Sequence, residues 1–200
     1  MDLVSSKTLV VAGYGNIGST VAKTCKRAFG MRVIGVNKFP EMVTKEEAQW
    51  ADEVVGLDQW DRAIRAADYV VGTLPKMLST DNFFNDANCF SKMKSSAVFM
   101  NIGRGTTVDE EHLADALNSG KIAGAVLDVF KKEPLVESSR LWKAPNLFMT
   151  PHCADQDKEW LERSMMIFGT NLNNWCTGKP LHNKVDKEFA WQGNASKPKL

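Results

Sequence analysis

The sequence has little of what marks a protein as secreted, membrane-bound or built for nucleic acid. Its 4 cysteines (Cys25, Cys89, Cys153 and Cys176) stand far apart and form no CxxC pair. Reduced thiols of an intracellular protein, and no metal site, are the expectation. An excess of one charge is also missing: 25 Lys and Arg face 24 Asp and Glu, a net charge of +1. That leaves no basic field for nucleic acid and no acidic tail. No apolar run approaches the ~20 residues that a membrane span needs. The start, MDLVSSKTLVVAG, has no basic stretch ahead of its apolar run, so a secretory leader is not expected. On that account the sequon at Asn194-Ala195-Ser196 reads as chance. The last residues, Pro198-Lys199-Leu200, echo a Ser-Lys-Leu peroxisomal address with Pro in the Ser place. A cytoplasmic location is expected, with the peroxisome as the alternative. There is no internal repeat and no low-complexity linker. What remains is 200 residues, 44% hydrophobic and 24% charged, enough for one domain with a sizeable core.

Short all-apolar runs alternate with helical spacing. Residues 7–12 (KTLVVA), 31–36 (MRVIGV), 69–74 (YVVGTL) and 97–102 (AVFMNI) read as buried strands, and IAGAVLDV and NLFMT complete the set. Between them, Ile17 to Phe29 follows helical periodicity, with Ile17, Val21, Cys25 and Ala28 on one face and Gly30 as the stop. TKEEAQWA and DQWDRAIRAA read as polar helical stretches. Asp109 looks like an N-cap, with Val108 and Leu113 at hydrophobic-staple positions and Gly120 ending that helix. A last helix is expected from about Asp157 to Trp175, and a polar tail from residue 186 that frays. Alternating β and α with all-apolar strands predicts an α/β fold with a doubly wound parallel sheet.

The first strand runs into Gly13-Tyr14-Gly15-Asn16-Ile17-Gly18, a GxGxxG turn opening a helix. Gly13 would make the tight turn, Gly15 would let the backbone approach a pyrophosphate, and Gly18 would let the helix pack close to the strand. The diphosphate would sit on the helix N-terminus, where free N–H groups and the dipole favour an anion. An acidic residue ~20 positions on would bind the ribose 2′-OH of NAD. This chain has Asn37 and Lys38 there. Asn37 removes the repulsion against a 2′-phosphate and Lys38 offers a countercharge, so NADP(H) is expected in preference to NAD(H).

Three charged residues, Arg104, Glu133 and His152, lie at or just past the ends of apolar runs in the second half. Ligands of open parallel sheets bind outside the carboxyl ends of the strands, so the three are candidates for chemistry. His112, in a polar helix, and His182, near the tail, read as solvated.

These motifs carry a resemblance. GYGNIG, SKMKSSAVFMNIGRGTTVDEEHLADAL, GKIAGAVLDVFKKEPL, LWKAPNLFMTPHCA and GKPLHNKVD are similar to those of the D-isomer-specific 2-hydroxyacid dehydrogenases. Within that family they resemble the glyoxylate/hydroxypyruvate reductases and phosphoglycerate dehydrogenases. The similarity runs from about Lys7 to Asp186, and it implies a Rossmann-type dinucleotide-binding domain over residues 1–185, its C-terminal helix included. By the resemblance Arg104, Glu133 and His152 match the catalytic triplet. Arg104 offers a fork of donors to a substrate carboxylate and the adjacent keto oxygen. His152 would give that oxygen a proton and take it back in reverse, and Glu133 would hold the imidazole and favour its charged form. Asp128 matches a position that contacts the nicotinamide amide, and Pro75, Ile102 and Gly103 match positions lining the ring. Leu74, Thr80, Arg104 and His152 complete the cofactor set begun by Gly13, Tyr14, Gly15, Asn16, Ile17, Gly18, Asn37 and Lys38.

The pattern departs from the family in places. Asp155-Gln156-Asp157 follows TPHCA where Gly and Thr are usual, and Met77 stands where Thr is frequent. Family members also carry a substrate-binding lobe ahead of the glycine turn, and twelve residues precede Gly13 here. The expectation is therefore an NAD(P)-dependent oxidoreductase of small 2-oxo or 2-hydroxy acids, incomplete as this chain. Its alternatives are a dinucleotide-binding or sensing protein without catalysis, and a half-enzyme completed by a partner chain. The resemblance also implies a possible homodimer.

Overall fold

The computed structural model describes residues 3–184. The expected polar tail from residue 186, the sequon at Asn194 and the terminal Pro198-Lys199-Leu200 lie outside the described residues. Within them, 3–76 with 80–151 form one compact unit that holds the whole sheet, and 77–79 with 152–184 form a second.

Strand β1 (Thr8–Ala12) is central because four of its five residues are apolar and buried, which only a strand covered on both faces tolerates. It pairs in parallel with β2 (Arg32–Val36) on one side and β4 (Tyr69–Gly72) on the other. With β3 (Glu53–Val55), β5 (Val98–Asn101), β6 (Gly124–Leu127) and β7 (Leu147–Met149), the sheet has seven parallel strands in the order β3-β2-β1-β4-β5-β6-β7. The doubly wound parallel fold is as expected. Strand β3 is an addition to the six strands read from the sequence. It has three half-buried residues at a sheet edge and so carries no apolar run. Its Glu53 pairs with Arg32 and Arg62, charges that blunt the open edge.

Right-handed crossovers fix the layers. Helix α1 (Asn16–Phe29) and the short α2 (Lys45–Ala48), started by a Thr44–Glu47 capping box, lie on one face. The chain then crosses over, and α3 (Trp60–Ala66) and α4 (Glu110–Asn118) cover the other. Asp109 caps α4 by accepting the His112 amide, Val108 and Leu113 are buried at its start, and Gly120 follows in the left-handed region. The Phe-rich stretch after β4 packs its rings in a chain through Trp60, Phe83, Phe84, Phe99 and Phe90.

The expected buried face of α1 is rotated. Ile17 is 60% exposed and Ala28 is exposed, whereas Gly18, Ser19 and Ala22 are buried, with Val21 and Cys25 half-buried beside them. The reason is steric: the helix touches the sheet where it carries no Cβ, at Gly18, and that contact sets its roll.

In the second unit, α5 (Trp160–Cys176) starts three residues later than expected, and Asp157 ahead of it pairs with Arg163 in its first turn. Its second half is tied to the following chain by Asn171, whose side chain bonds both the amide and the carbonyl of His182. No helix among the described residues is long and apolar enough to cross a membrane.

Candidate active site

Strand β1 and its neighbour β4 continue in opposite directions across the sheet, and the crevice beyond their carboxyl ends is where a doubly wound sheet takes its ligand. The Gly13–Gly18 turn fills this point, and its three glycines differ. Gly13 has φ +99, and a Cβ there would lie 2.9 Å from the Thr73 carbonyl carbon and Oγ1. Its amide donates to Val36 O (3.0 Å) and its carbonyl accepts from Thr73 Oγ1 (2.8 Å). At Gly18 a Cβ would sit 2.6 Å from Gly13 O. Gly15 is the opposite case: a Cβ there meets nothing within 4 Å. Gly13 and Gly18 are glycines for packing, and Gly15 leaves open space above the start of α1. The first turn of α1 holds no acidic residue, so its positive end is uncompensated, and Asn16 and Ile17 are exposed there.

Tyr14, expected beside the cofactor, turns its side chain into the core. The ring fills the space that Gly35 leaves and the hydroxyl donates to Glu47 O (2.9 Å). Burial, and then the charge of Glu47, push its pKa up to about 12. Asn37, at the end of β2, is committed to the same turn: Nδ2 donates to Tyr14 O (2.7 Å) and Oδ1 accepts from the Phe39 amide (2.8 Å). Lys38 is exposed, its ammonium 5.3 Å from the Phe39 ring. After β4, Leu74 is half-buried and Pro75 exposed, and Thr80 Oγ1 donates to Pro75 O (2.6 Å).

Arg104 follows β5 on an arch of two glycines. A Cβ at Gly103 would stand 2.7 Å from Leu74 O, and one at Gly105 would stand 1.9 Å from the Phe130 carbonyl carbon. The arch is thus pressed between the chain leaving β4 and the chain leaving β6. The guanidinium is exposed and donates from NH1 to Gly103 O (2.7 Å). Beneath it Asn101 and Thr107 are both fully buried. Neither was singled out from sequence, although an asparagine ending the run VFMN at a buried position was a signal. Asp128, the residue after β6, is buried and accepts from Thr150 Oγ1 (2.6 Å). Ile102 is half-buried beside the buried Gly103.

Glu133 is exposed in the loop after β6, and its Oε1 accepts the Phe130 amide (2.9 Å). That loop is held from α4 by Glu110, which takes the Lys131 amide (2.6 Å). Desolvation, the largest influence on the Glu110 carboxyl, raises its pKa above the ordinary glutamate value. Glu110 is a third residue that sequence reasoning passed over. Arg104, Asp128 and Glu133 share the sheet unit. His152 opens the longer stretch of the second unit, is exposed, and has φ +52. Among the described residues no group of His, Cys, Asp and Glu could hold a metal ion.

The sequence profile of the "D-isomer specific 2-hydroxyacid dehydrogenase, NAD binding domain" matches residues 1–154. The chain is 40% identical over 151 residues to a probable 2-ketogluconate reductase of Dictyostelium discoideum, covering 74% of this chain and 43% of the relative. It is 36% identical over 189 residues to a glyoxylate/hydroxypyruvate reductase B of Citrobacter koseri, covering 94% and 56%. Among solved structures, an NADPH-dependent glyoxylate/hydroxypyruvate reductase of Sinorhizobium meliloti, in complex with NADP and sulfate, superposes with a TM-score of 0.82 at 30% identity. That match covers 94% of this chain and 58% of the other. The chain therefore spans about half the length of the relatives it matches.

Proposed function

Because the chain belongs to the D-isomer specific 2-hydroxyacid dehydrogenases, matching their NAD binding domain, we propose that it carries the cofactor side of a reductase of small 2-oxo acids. The substrate class is that of glyoxylate or hydroxypyruvate. One observation carries the reading: Gly13 and Gly18 are sealed by neighbouring backbone while Gly15 opens onto the uncompensated start of α1. Only a ligand that brings negative charge close to the main chain makes use of that difference. The bound nicotinamide would supply the hydride.

The chain's own residues do the rest. Arg104 receives the substrate carboxylate and the adjacent oxygen, His152 moves the proton at that oxygen, and Glu133 supplies the countercharge that favours imidazolium. Asp128, Pro75, Ile102 and Gly103 serve the nicotinamide end, and Leu74 and Thr80 flank it. NADP(H) is preferred over NAD(H), since Asn37 is neutral and Lys38 is free to meet a 2′-phosphate in solvent. Asn37 has a second duty in this reading, because its amide also fixes the turn through Tyr14 O.

Titration of the chain with NADPH and with NADH, followed by tryptophan fluorescence, tests both levels. Tighter NADPH is expected; tighter NADH overturns the preference, and no binding of either overturns the function. Catalysis is tested by loss of NADPH absorbance with glyoxylate. The assay is run alone and with a separately expressed polypeptide carrying the part of the Citrobacter reductase outside the match. Turnover only with the added polypeptide is the signature of a half-enzyme completed by a partner. In the competent mixture His152→Ala should cut turnover by ~10² or more; turnover near wild type would remove the acid/base role. A homodimer belongs to the same reading, on the exposed Trp142 of the sheet unit. Sedimentation as a monomer at all accessible concentrations would exclude it.

A further inference from the structure

Three of the four buried polar residues of the described chain, Asn101, Thr107 and Asp128, gather behind the Arg104 arch. Burying an amide and a hydroxyl is costly unless each is bonded, and here the bonds converge on one residue. The Arg104 carbonyl accepts from Asn101 Nδ2 (3.0 Å), from Thr107 Oγ1 (2.6 Å) and from the Thr107 amide (3.1 Å). On the other side of the same residue, the Gly103 amide donates to Asn101 Oδ1 (3.1 Å). One side-chain amide thus grips the Ile102–Gly103 peptide plane and the plane after Arg104, bracketing the Gly103–Arg104 pair. Strand β5 ends at Asn101, so no sheet ladder is left to do this. The backbone of Arg104 is nonetheless extended, at φ −139 and ψ 139. The neighbours make room for the clamp: a Cβ at Gly72 would come within 3.1 Å of Asn101 Oδ1.

We propose that Asn101 and Thr107 are positioning residues that aim the Arg104 guanidinium, a role that rests on Arg104 receiving the substrate carboxylate. A three-donor clamp on one carbonyl fixes the Cα–Cβ direction of Arg104, and the long side chain then starts from a set origin. An exposed arginine held at its root loses less freedom when it closes on a carboxylate. Neither residue touches the ligand.

The test uses the chain loaded with NADPH and titrated with oxalate, which offers paired oxygens but accepts no hydride. Asn101→Asp keeps an acceptor for the Gly103 amide and turns the second oxygen against the Arg104 carbonyl. Thr107→Val removes the hydroxyl, and Thr107→Ser restores it. Asn101→Asp and Thr107→Val should weaken oxalate about tenfold, with Thr107→Ser near wild type and NADPH affinity unchanged within about twofold. In an Arg104→Gln background, Thr107→Val should cause no further loss, because the clamp acts through the guanidinium; a merely structural residue would still weaken binding there. The role is overturned if Thr107→Val leaves oxalate affinity unchanged, or if oxalate and NADPH affinities fall together. A wild-type chain that binds NADPH but not oxalate removes the carboxylate role of Arg104 and this proposal with it. A chain that binds no NADPH fails earlier, at the cofactor reading.

Discussion

Gly15 and Gly18 occupy equivalent-looking places in a glycine motif and should respond to alanine in opposite ways. At Gly18 the added carbon meets Gly13 O at 2.6 Å and Val11 Cγ1 at 2.9 Å. The first of these is backbone and cannot swing aside, so Gly18→Ala should cost about 1–3 kcal/mol. At Gly15 the added carbon meets nothing, so Gly15→Ala should leave stability within about 0.5 kcal/mol while weakening NADPH at least tenfold. Urea unfolding of the two variants, beside the fluorescence titration, separates the effects; equal loss of stability in both would refute the division of labour. The motif was legible in the sequence because its spacing carries its chemistry. The burial of Tyr14 and the double grip of Asn101 were not: the first ends on Glu47, distant in sequence, and the second needs the room that Gly72 of β4 leaves for the Asn101 side chain.

Parallel strands need their first amides satisfied, and two aspartates do this across elements. Asp68, just before β4, takes the Thr8 amide at the head of β1 (2.8 Å) and the Lys94 ammonium (2.9 Å). Asp52, just before β3, takes the Val33 amide of β2 (2.8 Å) and the Lys26 ammonium (2.8 Å). Burial raises the Asp68 carboxyl, but the Thr8 amide and Lys94 outweigh it and hold the group below its ordinary value. For Asp52 the Lys26 bond leads in the same downward direction. Both folded values lie below the unfolded value of about 3.9, so the unfolded chain binds protons first as pH drops. Their stabilisation is present above that value and is lost as pH falls through the folded ones. Asp68→Asn, neutral throughout, should be less stable than wild type by about 1 kcal/mol at neutral pH. The gap should close toward acid pH in urea titrations, and a constant gap would disprove the linkage. Elements of this kind were readable only in part. The all-apolar strands announced themselves, whereas β3 is a strand because it pairs in parallel with β2 from Ile34 to Val36, which no local pattern reveals. The roll of α1 likewise followed from Gly18 rather than from its apolar stripe.

The right-handed winding that builds the whole sheet also divides its cover unequally. After the chain crosses from β3 to β4, every later crossover runs over the face of α3 and α4. On that face the pleat carries Val10, Val70, Phe99 and Ala125 across β1, β4, β5 and β6, all buried. The opposite row runs Val71, Met100, Val126 and Phe148, from buried through half-buried to 64% exposed at β7. From sequence NLFMT reads as a strand buried on both faces, because an apolar run says nothing of which crossovers lie above it. Two phenylalanines in neighbouring parts of one sheet should therefore differ sharply. Phe99 stacks against Phe84 and Phe90 at ring-centroid distances of 5.0 and 5.4 Å, and Phe99→Ala should cost about 3–5 kcal/mol. Phe148→Ser gives up little buried surface and should stay within about 1 kcal/mol. Urea midpoints at an unchanged denaturant slope measure both. A cost at Phe148 approaching that at Phe99 would mean that the β7 side of this face is covered in solution, and the unequal division would then be wrong.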